Sequence, residues 1–428
     1  MSVLLCRAAV APAAADLLRS LFDAVVAAAQ PDRLVAQNLP DPPKGRTIVI
    51  GAGKAAGAMA RAFEARWQAP LSGVVAVPHA VARPGGVIRQ HGASHPVPDA
   101  ASFEAARLIR MAIAEAGPDD LVVALISGGG SSLMCEPAPG LTLADKQAVN
   151  DALLASGASI SEMNCVRKHL SVCKGGRLVP TGGVPLLALL MSDVPGDDPS
   201  VIASGPTVPD PTKLADARAV LARARIPVPE RVRLALLDPA NETPKPDDPR
   251  FVRVENRMVL TPDHALREAI PLLTSAGYEV LYLGDALEGD AETLAQDHAQ
   301  RALDLRRQGR RVAILSGGET NVRASGVVGA KGGRNSHYAL ALALALGEAA
   351  GVTAISADTD GVDGRGGHAG AFVFPETLAR MRRAGLDPAQ LLVQTNSHAA
   401  FAGIGDLLVT GPTETNVNDL RVLLIDPI

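Results

Sequence analysis

Aromatic residues are scarce, at 3% of 428 residues, with one Trp, three Tyr and seven Phe. That leaves no row of rings on which bases could stack. With a net charge of −4 and no basic stretch of nucleic-acid type, nucleic acid is not an expected partner. Cysteine is sparse as well. Cys6, Cys135, Cys165 and Cys173 form no C-x-x-C pair and no regular framework, which points to reduced thiols in the cytoplasm. Cys135 and Cys165 lie near candidate loops, but a packed thiol is the simpler reading of each. Nine His residues show no close paired spacing, which argues against zinc. Long apolar runs are missing too: residues 339–357 are rich in Ala and Leu, yet Glu348 and a flanking glycine interrupt them. Near the N-terminus Arg7, Asp16 and Arg19 break the apolar sequence, so it reads as a helix rather than a signal peptide. Its Leu17, Leu18, Leu21, Phe22, Val25 and Val26 follow helical spacing.

What the chain has in quantity is glycine-dense polar loops, each set after a short apolar run. They are Gly51-Ala52-Gly53-Lys54, residues 127–132 (Ser-Gly-Gly-Gly-Ser-Ser), residues 192–198 with Asp193, Asp197 and Asp198, residues 316–320 with Gly317, Gly318 and Glu319, and residues 358–361 with Asp358 and Asp360. In an open parallel sheet the loops at the carboxyl ends of strands line the ligand crevice. Glycine lets backbone N–H groups approach an anion there, and helix N-termini add a positive dipole end. The pattern points to a site for phosphates and a small anionic substrate.

Strands are expected at 47–50, 73–77, 121–126 and 186–191, alternating with helices at 54–67, 102–116, 143–156 and 161–170. Alternation of this kind implies parallel pairing by right-handed crossovers, hence a doubly wound α/β domain. Residues 238–250 are dense in proline and charge and read as a linker. Beyond them strands are expected at 258–260, 279–283, 312–315, 352–356, 371–374 and 407–409, and helices at 263–276, 290–308 and 338–350. Ser-Gly-Gly recurs at 127–129 and 316–318, and Gly-Pro-Thr at 205–207 and 411–413, so both halves present similar polar loops.

Gly51, Gly53 and Gly57 give G-x-G-x-x-x-G after a strand, the beginning of a dinucleotide motif. A nicotinamide enzyme needs an acid at the end of the second strand for the ribose, and that strand ends in Val77-Pro78-His79. A purely structural turn is the other reading. Lys54 argues for an anion, because an ammonium at a helix N-terminus is otherwise disfavoured. Positive charge gathers at Asn164-Cys165-Val166-Arg167-Lys168-His169 and again at Lys174 and Arg177, as an anion site or as a solvated helix face. The acids of 193–198 and Asp358, Asp360 and Asp363 suit a hard cation such as Mg²⁺, which takes one or two carboxylates plus phosphate oxygens and water. Each acid can equally cap a helix or fix a turn. A calcium loop is rejected, since Ala369 stands where its bidentate Glu belongs. Arg334 offers a planar fork to an oxyanion, or pairs with a surface carboxylate.

Taken as a set, the chain resembles the glycerate 2-kinases of the MOFRL type, whose members are often labelled hydroxypyruvate reductase. The matching segments are 51–56, 127–132, 166–171 with 174–176, 192–198, 203–207, 316–320, 332–335, 359–364 and 410–417, in order along most of the chain. Asp358 stands where members often carry glycine, and Ser336-His337 where they often carry Gln-Glu.

The resemblance implies two α/β domains flanking a cleft, an N-terminal Rossmann-like doubly wound parallel sheet over 1–245 and a C-terminal MOFRL domain with a mixed sheet over 255–428. It implies ATP- and Mg²⁺-dependent phosphorylation of D-glycerate at its 2-hydroxyl. On this reading Lys54, Arg334 and Asp193 are catalytic, and Asp193, Asp358 and Asp360 hold the metal. Contacts to substrate or nucleotide fall on Gly51, Gly53, Ser127, Gly128, Gly129, Ser131, Ser132, Asn164, Lys168, Gly317, Gly318, Glu319, Asn335, Thr413 and Asn416. The expected partners are D-glycerate and ATP, with no nucleic acid or membrane, and a homo-oligomer is compatible with it. An NAD(P)-dependent hydroxypyruvate reductase, a kinase for another small hydroxy acid and a sugar-phosphate sensor are the alternatives.

Overall fold

A computed structural model describes residues 2–194, 196–323 and 325–427, with side chains from Ala13 onward. Two compact units emerge. One is Gln30–Thr261; the other joins the N-terminal residues through Ala29 to those from Pro262 onward. The helix α1 (Ser2–Ala28) therefore belongs with the C-terminal half, contrary to a domain spanning 1–245. The reason is its apolar stripe: Leu18, Leu21, Phe22 and Val25 recur on one helical face and are wholly buried. The Ala29 carbonyl also accepts the Thr415 hydroxyl at 2.7 Å.

The first unit opens with α2 (Pro31–Ala36) and carries six strands: β1 (Thr47–Ala52), β2 (Leu71–Pro78), β3 (Ile88–Ala93), β4 (Leu121–Ile126), β5 (Leu186–Met191) and β6 (Val254–Leu260). All pair in parallel, in the order β3-β2-β1-β4-β5-β6. The runs Thr-Ile-Val-Ile-Gly-Ala, Leu-Val-Val-Ala-Leu-Ile and Leu-Leu-Ala-Leu-Leu-Met of β1, β4 and β5 are buried at every position, as strands covered on both faces require. Helices α3 (Ala56–Glu64), α4 (Ala100–Ala114), the single turn α5 (Gly130–Leu133), α6 (Leu143–Ala155) and α7 (Ile160–His169) lie between these strands in sequence. Capping boxes at Asp99/Ser102, Thr142/Asp145 and Ser159/Glu162 fix where α4, α6 and α7 begin, each cap contributing about 1 kcal/mol.

Residues 238–250 are not a linker. Asn241 donates to the Ala235 carbonyl at 2.9 Å, Thr243 to Asp210 at 3.0 Å, and Lys245 bridges Glu242 and Thr243. This proline-rich strap leads into β6, which closes the first sheet instead of opening the second.

The second unit holds β7 (Glu279–Tyr282), β8 (Gly289–Asp290), β9 (Val312–Ser316), β10 (Thr320–Asn321), β11 (Val352–Asp358), β12 (Gly370–Val373), β13 (Leu407–Leu408) and β14 (Asp419–Ile425). Its six-stranded sheet runs β13-β12-β11-β14-β9-β7 and is mixed, parallel only at β7/β9; β8 and β10 form a separate parallel pair. The helices Ala291–Arg307 and Arg334–Leu346 pack closely because Ala295, Ala299, Ala302, Ala339 and Ala343 keep their facing sides thin. Among the described residues no helix is long and apolar enough to cross a membrane.

Candidate active site

The strand order of the first unit reverses between β1 and β4, and ligands of open α/β sheets bind beyond the carboxyl ends of strands at such a switch point. The chain places Gly53–Ala55 after β1, Ser127–Gly130 after β4 and Asp193 after β5 at that end. The two turns interlock. Gly53 N–H donates to the Ala76 carbonyl at 3.1 Å, Lys54 N–H to the Gly128 carbonyl at 2.8 Å, and Ala55 N–H to Ser127 Oγ at 3.0 Å. Gly53 has φ +148°, and a Cβ there would lie 2.0 Å from Ser127 Oγ. Gly51, inside β1, pairs with Leu125 of β4. The backbone donors of the first glycine turn are thus used within the protein. Its glycines bring β1 close to β4, and Lys54 is left to act through its side chain.

Gly128 and Gly129 form the floor on which charged groups converge. A Cβ on Gly128 would sit 1.6 Å from Asp193 Oδ2, so that carboxylate lies directly on the loop. One on Gly129 would meet His95 at 3.0 Å and Lys54 Cγ at 3.4 Å. Lys54, His95 and Asp193 therefore surround two consecutive glycines. Ser132 Oγ donates to the Gly129 carbonyl at 3.0 Å, fixing the turn from below.

Ser131 ties this loop to the neighbouring helices. Its Oγ lies 2.7 Å from Ser204 Oγ, and Ser204 Oγ donates to Asn164 Oδ1 at 3.2 Å. Ala203 and Ser204 hold φ of 51° and 61°, in the left-handed region, at a cost of about 1–3 kcal/mol each. The Ser131 carbonyl accepts the ammonium of Lys174 at 2.6 Å. Lys174 is wholly buried, and burial pushes its pKa down to about 8, the charges of Lys146 and Arg167 acting in the same direction. Lys168, expected at the substrate, instead faces Asp210 at 3.5 Å with both side chains buried. Asp210 in turn accepts hydroxyls from Thr212 and Thr243. This pair holds the proline-rich strap rather than the glycine loop.

In the second unit the cationic centre is Arg334, the first residue of its helix. Nε donates to Asp419 at 2.8 Å, Nη1 to Glu319 at 2.7 Å and Nη2 to Asp358 at 2.8 Å. Burial lowers the pKa of this guanidinium, but Asp419, Asp358 and Glu319 outweigh it and hold Arg334 well above its ordinary value. Glu319 is 51% exposed, whereas Asp358 and Asp419 are 5% and 0%. Asp419 is shared: its other oxygen pairs with the wholly buried Arg421, which also donates to the Gly317 carbonyl at 2.8 Å. Gly318 accepts the Asp419 N–H at 3.2 Å. Asn335 is buried and fully engaged, donating to Asp419 at 2.7 Å and accepting Ser356 Oγ at 2.7 Å. It supports the partner of Arg334 and presents no open face to a ligand. Asp363 caps the helix by accepting the N–H groups of Asn335 and Ser336 at 2.9 and 2.8 Å.

The second acidic loop is knit into the backbone. Asp358 Oδ1 accepts the Asp360 N–H at 3.1 Å, and Asp360 Oδ1 accepts the Val362 N–H at 2.8 Å. Thr413 N–H and Oγ donate to the carbonyls of Asp360 and Thr359, and Asn416 Oδ1 accepts the Asn418 N–H. Among the described residues no three His, Cys, Asp or Glu side chains gather in a metal-binding cluster.

Sequence comparison bears directly on these loops. A family model described as a domain of unknown function, DUF4147, matches residues 17–237, and that of the MOFRL family matches 312–419. The D-glycerate 2-kinase of Thermotoga maritima is 37% identical over 421 residues, covering 96% of this chain and 97% of that protein. The crystal structure of glycerate kinase from Thermotoga maritima matches with a TM-score of 0.85 at 36% identity, covering 96% of this chain and 99% of the other. A protein of Agrobacterium vitis that carries a hydroxypyruvate reductase name is 53% identical over 418 residues, 96% of this chain and 94% of its own. The chain belongs to the glycerate 2-kinase family.

Within that family assignment, several site-forming residues escaped the sequence reading. His95 lies close to Gly129, and Asp419 and Arg421 frame Arg334. Lys174 and the segment 203–207 were visible as matching motifs. Arg421 carried no signal, since an arginine within a hydrophobic run usually marks a surface strand. At the departures from the family pattern, Asp358 pairs with Arg334, Ser336 joins the Asp363 cap at 2.6 Å, and His337 lies 3.0 Å from Glu292.

Proposed function

We propose that this chain is an ATP- and Mg²⁺-dependent D-glycerate 2-kinase, transferring the γ-phosphoryl group to the 2-hydroxyl to give 2-phospho-D-glycerate. The observation that carries the reading is the Ser127–Gly130 loop at the sheet's switch point, flanked by Lys54 on one side and Asp193 on the other. The similarity to the Thermotoga maritima enzyme supports it.

Phosphoryl transfer needs positioning and charge neutralisation more than covalent chemistry. The 2-hydroxyl oxygen attacks the γ-phosphorus, the bond from that phosphorus to the β,γ-bridging oxygen breaks, and ADP departs. Lys54 neutralises charge on the transferring group. Arg334 is the cation of the second unit assigned to phosphate: its Nη1 would exchange half-exposed Glu319 for a phosphate oxygen while Asp419 and Asp358 keep the fork oriented. Asp193 receives the hydroxyl proton or holds the cation. Asp193, whose carboxylate lies against Gly128, is the residue that would hold Mg²⁺. Asp358 fits less well, since Arg334 and the Asp360 N–H already engage its two oxygens. Bound Mg²⁺ would supply charge neutralisation on the phosphate oxygens.

The reductase reading finds less support. Strand β2 ends at Pro78 with no acid following, and Asp99, which meets His79 at 3.2 Å, is used to cap α4. The buried thiols Cys135, Cys165 and Cys173 are in keeping with a cytoplasmic protein; the side chain of Cys6 lies outside those described.

A coupled ADP-release assay across D-glycerate, tartronate, threonate and L-glycerate tests the reading, with phosphorus NMR to place the phosphate on carbon 2. D-glycerate should be turned over fastest. NADH absorbance with hydroxypyruvate should stay flat. An NADH decline with no ADP release would overturn the kinase assignment.

A further inference from the structure

We infer that Lys146 of α6 and Arg167 of α7, with Lys174 behind them, form the subsite that takes the carboxylate of the hydroxy-acid substrate. The inference rests on the kinase reading for the identity of the substrate, and on independent geometry for the site.

Among the described residues the three cations have no acidic partner. Lys146 is 9% exposed, and its ammonium is shut off from solvent with no hydrogen-bond partner among the described residues. Arg167 donates Nε to Asn150 Oδ1 at 2.8 Å, a neutral amide. Lys174, 2% exposed, has a backbone carbonyl as its partner. None of the three takes part in an ion pair among the described residues, on a protein whose other cations mostly do. A buried charge with neither water nor counter-ion costs several kcal/mol, and an arriving anion relieves it.

These groups share one wall. Lys146 and Asn150 stand four residues apart on α6 and so on one face. Asn164 and Arg167 stand three apart on α7, and the Arg167–Asn150 bond joins the two faces. Asn164 then connects through Ser204 to Ser131, the end of the glycine loop opposite Lys54. A short hydroxy acid laid along that loop has its carboxylate between Lys146 and Arg167 and its hydroxyl toward Lys54 and Asp193. The neutral amides and hydroxyls of Asn150, Asn164, Ser131 and Ser204 suit the remaining polar atoms. Lys168, which the sequence places near the same carboxylate, is paired with Asp210 at 3.5 Å.

The test uses the full chain and the variants K146M and R167M. Each should raise KM for D-glycerate and the calorimetric Kd for D-glycerate without nucleotide by 10- to 100-fold, with KM for ATP unchanged within twofold. Unchanged glycerate KM and Kd in folded variants would overturn the subsite while leaving the kinase reading intact. A second measurement needs no variant. D-glyceramide, with the same hydroxyls and no charge, should bind the unaltered protein at least 100-fold more weakly than D-glycerate; equal binding would also overturn it. If D-glycerate binds in a Lys146-dependent manner but releases no ADP with ATP, the kinase reading falls and the subsite stands.

Discussion

Arg334 Nε lies 2.8 Å from Asp419 Oδ1, and the second oxygen of Asp419 belongs to Arg421. One wholly buried carboxylate thus sits between two guanidiniums, one of them at the candidate reaction centre and one inside the core. Arg421 also stacks over the Tyr338 ring at 5.4 Å, and Tyr338 Oη meets His298 Nδ1 at 2.6 Å. Buried charge pairs add little net stability against apolar isosteres, but removing one partner is expensive.

Asp419→Asn should therefore destabilise the protein by about 3–5 kcal/mol, because it leaves two guanidiniums without their shared counter-charge. Urea unfolding of the purified variant measures this. A change below about 1 kcal/mol would show that the pair of arginines finds compensation elsewhere.

Lys54→Met should lower kcat with D-glycerate and ATP by roughly a hundred- to thousand-fold, the usual cost of losing one preorganised stabiliser of developing charge. Arg334→Met should do the same. Near-normal turnover in either variant would remove that residue from the mechanism.

Gly128→Ala tests Asp193 without touching it. The new methyl would lie 1.6 Å from Asp193 Oδ2, so the carboxylate must move by more than an ångström. Misplacement on that scale costs on the order of a hundredfold in rate. The expected result is a kcat loss of this size with circular dichroism and melting temperature close to those of the parent.

His298 gives a pH signature. Burial, with the charge of Arg421, lowers its pKa from 6.5 to about 4, so the folded protein keeps it neutral where the unfolded chain takes up a proton. Stability is then fully present above pH 6.5 and is lost as pH falls toward 4, by on the order of 3 kcal/mol in all. The difference in unfolding free energy between the parent and His298→Gln should shrink over that window. A constant difference would mean that the imidazole titrates normally.

Strands β1, β4 and β5 were legible because burial on both faces leaves an unbroken Val, Ile and Leu run that little else produces. β14 was not, although it is the second sheet's central connector. Its Asp419 and Arg421 look like surface residues until each is seen to satisfy the other. The helix Arg334–Leu346 begins four residues before the expected 338, because the cap is Asp363, distant in sequence, rather than a local Ser or Asp. Residues 263–276 were expected as one helix and form two, Pro262–Arg267 and Ala269–Ser275. The proline-rich stretch 238–250 has the composition of a spacer, but long-range hydrogen bonds to Asp210 and Arg177 make it a packed strap. The glycine loops and the Lys174 motif are legible as candidate anion sites, while Lys146 is a single lysine on no visible pattern. What distinguishes Lys146 is that its ammonium is buried without an ion pair among the described residues, which only three-dimensional placement reveals.

Because α1 docks on strands and helices that follow Pro262, its greasy stripe of Leu18, Leu21, Phe22 and Val25 leaves the ribosome long before its binding surface exists. At roughly 5–20 residues per second, more than two hundred intervening residues take some tens of seconds to synthesise. The inserted Gln30–Thr261 unit is continuous and free to fold in that interval. The nascent chain therefore carries an uncovered amphipathic helix until the C-terminal strands are made, which ties completion of the fold to translation of the last strand.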